Sequence, residues 1–119
     1  MAKLLWRIIT ENQPTREKAE RLAAELQQAL PQTEILKIEK YYKFPESFCI
    51  DLKTLLKTEI SSEEFAFAML DFAGKIASPW EVYFQNGANE FEMIFNKSEH
   101  TRFLKSSFNV IRWMNVQRD

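Results

Sequence analysis

Apolar residues fill both alternating sets between Lys3 and Thr10: Leu4, Trp6 and Ile8 in one, Leu5 and Ile9 on either side of Arg7 in the other. That pattern predicts a strand buried on most of both faces. Asn12-Gln13-Pro14-Thr15 then has the composition of a turn and helix start, and Ala19, Leu22, Ala23, Leu26, Ala29 and Leu30 recur at helical spacing up to Pro31. On the polar side of this first helix, Glu17 precedes Arg21 by one turn, the orientation that supports an exposed helix. Leu36 and Ile38 alternate with Lys37 and Glu39, and beyond Phe44-Pro45 the residues Phe48, Ile50 and Leu52 alternate with Cys49, Asp51 and Lys53. Two paired strands follow, over Thr33 to Tyr42 and Phe48 to Lys53, with one face of the sheet in solvent.

A second helix is announced by Ser61 and Glu64, which have capping-box spacing, and by Ile60 and Phe65, which have the spacing of a hydrophobic staple. Phe65, Ala68, Met69, Phe72, Ala73 and Ile76 carry its apolar stripe from Ser62 to about Ala77, where Ser78-Pro79 forbids extension. Trp80, Val82 and Phe84 alternate with Glu81, Tyr83 and Gln85; Asn86-Gly87-Ala88-Asn89 makes a turn; Phe91, Met93 and Phe95 then alternate with Glu90, Glu92 and Ile94. This is a second hairpin. Residues 103–117 fit a strand through Phe108, Val110, Ile111, Trp113 and Val116 and a helical stripe through Leu104, Phe108 and Ile111, with propensity favouring the strand. The order predicts an α+β fold: an antiparallel sheet with two helices packed on one face, a ferredoxin-like split βαβ core with C-terminal additions.

Length and composition narrow the function. The 119 residues carry no linker, repeat or low-complexity run, so one domain over 1–119 is expected. No segment has the roughly 20 consecutive apolar residues of a membrane span, and no secretory leader pattern opens the chain. With Cys49 the sole cysteine, a disulfide within the chain is impossible, and a cytoplasmic protein is expected. Sixteen basic against seventeen acidic side chains make a polybasic nucleic-acid binder a poor fit. The charge is uneven, however: residues 59–92 hold Glu59, Glu63, Glu64, Asp71, Glu81, Glu90 and Glu92 against Lys75 alone, while 37–57 and 97–119 are modestly basic. An acidic face of this kind attracts a basic protein and repels nucleic acid.

Chemistry needs particular residue types close together. One Cys and one His, Cys49 and His100, fall short of a metal site and make a nucleophile pair only if the fold joins them. Gly74 and Gly87 are the only glycines, so neither the dinucleotide fingerprint nor the phosphate-binding loop can be written. Paired carboxylates at Glu81, Glu90 and Glu92 have no companion motif for acid-base work, and a non-enzymatic protein without metal or cofactor is expected. Tyr41, Tyr42, Tyr83 and Trp113 fall where at least one faces outward, as at interfaces. Lys37, Lys40, Tyr41 and Lys43 have the composition of an RNA-binding patch without its signature glycines.

In whole-chain character, including the aromatic-rich ending Phe108-Asn109-Val110-Ile111-Arg112-Trp113-Met114-Asn115-Val116, the protein resembles the immunity proteins of bacterial polymorphic-toxin and contact-dependent growth inhibition systems. The resemblance implies tight binding of one cognate toxin, commonly a basic nuclease, with occlusion of its active site. Glu81, Glu90 and Glu92 are then the first candidates for the partner surface, with Tyr83 beside them and Asp71, Glu63 and Glu64 on the second helix after them. The competing reading is a small ferredoxin-like regulatory or RNA-binding domain using the Lys37–Lys43 patch. A homodimer through an exposed sheet edge is open to either.

Overall fold

The structure is a computed structural model that describes residues 2–56, 62–85 and 90–118. The first strand, β1 (Ala2–Thr10), leads into helix α1 (Arg16–Ala29). Thr15 caps α1 by accepting a hydrogen bond from the Lys18 backbone N–H, and Ala19, Leu22, Ala23 and Leu26 form its buried stripe. The expected Glu17–Arg21 pair is present at 2.6 Å. Strands β2 (Thr33–Lys40) and β3 (Phe48–Leu56) follow as an antiparallel pair, and α2 (Ser62–Ala73) comes next. The sequence cues at Ile60, Ser61 and Glu59 lie outside the described residues.

Helix α2 stops four residues short of the expected Ala77. After Ala73 the backbone tightens: Lys75 N–H donates to Phe72 C=O and Ile76 N–H to Ala73 C=O, bonds to the third preceding residue. Ala77 is instead drawn into a short strand, β4 (Ala77–Ser78), paired with β7 (Arg102–Phe103). The second hairpin is present as β5 (Glu81–Gln85) and β6 (Glu90–Asn96), its turn at 86–89 lying outside the described residues. Trp80 precedes the strand, because its indole N–H is tied back to the Ala77 carbonyl at 2.8 Å. The ambiguous ending resolves toward the strand. A 3-10 turn occupies Ser106–Val110, and the strand β8 runs from Ile111 to Arg118.

All strand pairs are antiparallel, and the main sheet has the order β2-β3-β1-β8-β6-β5. The protein is thus an α+β fold. Its β2-β3-β1-β8 portion is compatible with a ferredoxin-like core, in which β3 splits β1 from β2 and β1 splits β3 from β8. The added β5–β6 hairpin is inserted in the C-terminal half ahead of the closing strand β8 and extends the sheet beyond it.

One buried cluster gathers Leu4, Trp6 and Ile8 of β1, Ile50 and Leu52 of β3, Met114 and Val116 of β8 and Phe91, Met93 and Phe95 of β6 with residues of both helices. Both helices therefore cover the same face. Trp6, 1% exposed, donates its indole N–H to Thr54 Oγ1 at 3.0 Å, and Thr54 in turn shares a 2.6 Å hydrogen bond with Thr33, so a buried polar thread ties β1, β3 and β2 together. The Trp6 ring meets Phe72 and Trp80, Trp80 meets Phe95, and Phe95 meets Phe103, carrying aromatic contact from the main sheet to β7.

Candidate functional site

None of the described helices covers the other face of the sheet. Strand alternation puts Leu5, Arg7 and Ile9 there from β1, Cys49, Asp51 and Lys53 from β3, Asn115 and Gln117 from β8, and Glu81, Tyr83 and Glu92 from the hairpin. Several of its charges cancel in pairs, on the edge strand β2 and beside the strand ends as well as in the middle. Arg7 is opposite Asp51 in register and pairs with it at 3.1 Å, Lys37 pairs with Glu39, and Lys97 reaches Glu11 at 3.6 Å. The Asp51 hydrogen bond, ahead of its charge, raises the Arg7 pKa, and Glu39 does the same for Lys37.

The two ends differ from the Arg7–Asp51 middle and from each other. At the hairpin end, Tyr83 and Glu92 are directly opposite across β5 and β6, with Glu81 two residues along on the same face. The Tyr83 hydroxyl donates to Glu81 Oε2, which raises the phenol pKa, and the Asn115 side-chain amide donates to Glu92 Oε1 at 2.5 Å. Both carboxylates are held by neutral donors, and among the described residues neither forms an ion pair. Their charge is oriented but not cancelled. Tyr83 stands 47% exposed beside them.

At the opposite end, β8 carries an extra residue. Ile9 pairs with Trp113 and Thr10 with Ile111, so Arg112 is bulged out of register. The bulge is fixed on both sides: Glu11 N–H donates to Val110 C=O at 2.7 Å, and Lys97 N–H to Arg112 C=O at 3.0 Å. The Arg112 guanidinium carbon lies 4.0 Å from the centroid of the Phe44 ring. Phe44 packs on Tyr41, and Tyr41 on Tyr42. A depression of about 610 Å³ opens here between Arg112, Trp113, Tyr41, Phe44, Lys97 and Cys49, and a second of about 500 Å³ lies beyond Trp113 toward Leu5, Glu92 and Gln117.

Neither Cys49 nor His100 has the setting of a reactive group. Burial, followed by the nearby Asp51 charge, pushes the Cys49 thiol up to about 11, and its Sγ lies 3.7 Å from Asp51 Oδ1. It is a thiol at neutral pH, not a thiolate. His100 is exposed, with Nε2 3.3 Å from Glu99, and lines neither depression. No group of three His, Cys, Asp or Glu among the described residues is placed to hold a metal ion, and none of the described helices is long and apolar enough to cross a membrane.

Of the residues singled out from the sequence, Glu81, Tyr83 and Glu92 come together on the open face. Glu90 pairs with Gln85 in the backbone register of the same hairpin. Asp71 is exposed on α2, the helix side of the sheet, and so lies across the molecule from them; Glu63 and Glu64 are on that helix too. The run 59–92 is one stretch of acidic sequence but not one acidic surface. The Lys37–Lys43 patch also divides, since Lys37 is paired with Glu39 and, of the four residues, Tyr41 alone lines the larger depression. Arg112 was not singled out as a site residue, because a one-residue bulge leaves no mark on composition. Comparison with protein-family models, with curated proteins and with solved structures found no match.

Proposed function

We propose that the protein is a binding protein that neutralises a basic protein partner, in the manner of a toxin immunity protein, through the hairpin end of its open sheet face. The observation that supports this is the state of Glu81 and Glu92. Both are oriented by neutral donors, Tyr83 and Asn115, on facing strands of a regular hairpin, and neither is neutralised by a cation among the described residues. A carboxylate held in this way keeps its full charge for a partner's Lys or Arg and needs little reordering on binding. Tyr83 adds an exposed ring of the kind that anchors interfaces. Desolvated ion pairs at this edge would supply speed and specificity, and the hairpin would occupy the place that a basic nuclease reserves for phosphate.

The test is protection. Cells whose growth is arrested by expression of the gene's immediate neighbour should grow when the protein is co-expressed, and the double variant Glu81→Lys/Glu92→Lys should lose that protection while keeping its thermal midpoint. Protection that is unchanged in the double variant would remove the hairpin from the interface. No protection by the unaltered chain would remove the immunity reading.

A further inference from the structure

We infer that the depression at the Arg112 bulge binds one nucleotide of a single-stranded nucleic acid, with the base against Trp113 and the phosphodiester on Arg112. This goes beyond the toxin-binding reading and shares no residue with it. The bulge sets two consecutive residues, a cation and an aromatic platform, at the rim of one depression. Trp113 is half-buried, lines both depressions, and makes no ring or cation contact with another described residue. Its surroundings leave room for a planar group. Tyr41 and Phe44, by contrast, are already packed on their neighbours, and Phe44 carries the Arg112 guanidinium.

Charge selects the anion. Three cations line the depression, and no carboxylate does. Arg7 is compensated by Asp51 and Lys97 by Glu11, whereas Arg112 forms no ion pair among the described residues. Cys49 adds no negative charge, since it remains a thiol. One uncompensated positive charge matches the single charge of a phosphodiester better than the two or more of a free nucleotide. Stacking on a tryptophan is indifferent to base identity, so little sequence preference is expected. The smaller depression has Glu92 and Asp51 in its wall, which directs the anion to the Arg112 side.

The experiment is fluorescence anisotropy of a labelled octauridylate with the full chain, with adenosine monophosphate as competitor. Binding should weaken about threefold between about 50 and 200 mM salt, the dependence of a single phosphate contact. Trp113→Leu should weaken it about tenfold, the loss of one base stack. Arg112→Gln should weaken it and flatten the salt dependence, while Arg112→Lys restores the slope. Both sites are on the surface, and thermal melts of each variant separate lost binding from lost fold. Absence of binding at low salt would overturn the inference, as would Trp113→Leu and Arg112→Gln variants that bind as tightly as the unaltered chain. Tighter binding of the free monophosphate than of the oligonucleotide would overturn the phosphodiester assignment.

Discussion

Trp6 and Arg7 are neighbours in β1, yet they belong to surfaces governed by different physics. Trp6 faces the helices, is 1% exposed and has its one polar atom hydrogen-bonded to Thr54; Arg7 faces solvent, and its own exposure leaves its pairing with Asp51 open to screening. On the covered face each residue is committed to the fold, and no buried side-chain nitrogen or oxygen among the described residues lacks a partner. On the open face the charges of Arg7, Lys37 and Lys97 cancel in pairs. Its two ends hold charge that the fold orients without neutralising: Glu81 and Glu92 at the hairpin, Arg112 at the bulge. The covered face therefore decides whether the chain folds, and the open face decides what the folded chain meets.

The most direct way to break this contrast is Trp6→Ala. It removes the largest wholly buried side chain and the aromatic link to Phe72 and Trp80, and should cost about 3–5 kcal/mol. Urea unfolding should show a midpoint far below that of the unaltered protein, if the variant folds at all. Cys49 sharpens the contrast from the other side, as an open-face residue that behaves like a covered one. With the pKa raised from 9.0 to about 11, its thiolate population at pH 8 is about 100-fold smaller than that of an unshifted thiol, and alkylation by iodoacetamide should be slower in the folded chain by about that factor. The stabilising effect of holding this proton is fully present below pH 9 and is lost as pH rises through about 11, so chemical stability measured across that window should fall. Next comes Thr54→Val, which leaves the Trp6 indole N–H without its acceptor and the Thr33 hydroxyl without its Thr54 partner inside the core. A loss of about 1–3 kcal/mol is expected with the fold unchanged.

Much of the covered face was legible in the sequence because its signals are local. The α1 stripe, the helix start at Asn12–Thr15 and the alternation in both hairpins each sit within a few residues of one another. The end of α2 was not, since what removes Ala77 from the helix is Phe103, far along the chain. The last segment shows why the ambiguity there was real. Its buried residues are Phe108, Ile111, Met114 and Val116, a spacing of three, three and two. The first step is the 3-10 turn, the second spans the bulge, and only the third is plain strand. The strand favoured by propensity is present from Ile111, while the helical stripe fails at Leu104, which is exposed. For the candidate site, sequence placed Glu81, Glu90 and Glu92 on facing hairpin strands, with Glu90 and Glu92 on one face, but it could not tell whether Asp71 joined them. Nor could it tell which charges cancel, because cancellation depends on cross-strand register: Arg7 meets Asp51 across β1 and β3, 44 residues apart.

The smallest effect falls on the Arg7–Asp51 pair, and it is where the distinction between the faces is most exposed to refutation. Arg7 and Asp51 make two hydrogen bonds, at 3.1 and 3.4 Å, but the arginine side chain is 63% exposed. A pair of this kind contributes about 0.2–1 kcal/mol, diminishing as salt rises. Arg7→Ala and Asp51→Ala should each shift the unfolding midpoint by no more than this, and the double variant should lose little beyond either single one. A cost several times larger would mean that the open face also carries the fold. It would then have less freedom to carry oriented, uncancelled charge at its ends, and the separation of tasks between the two faces would fail with it.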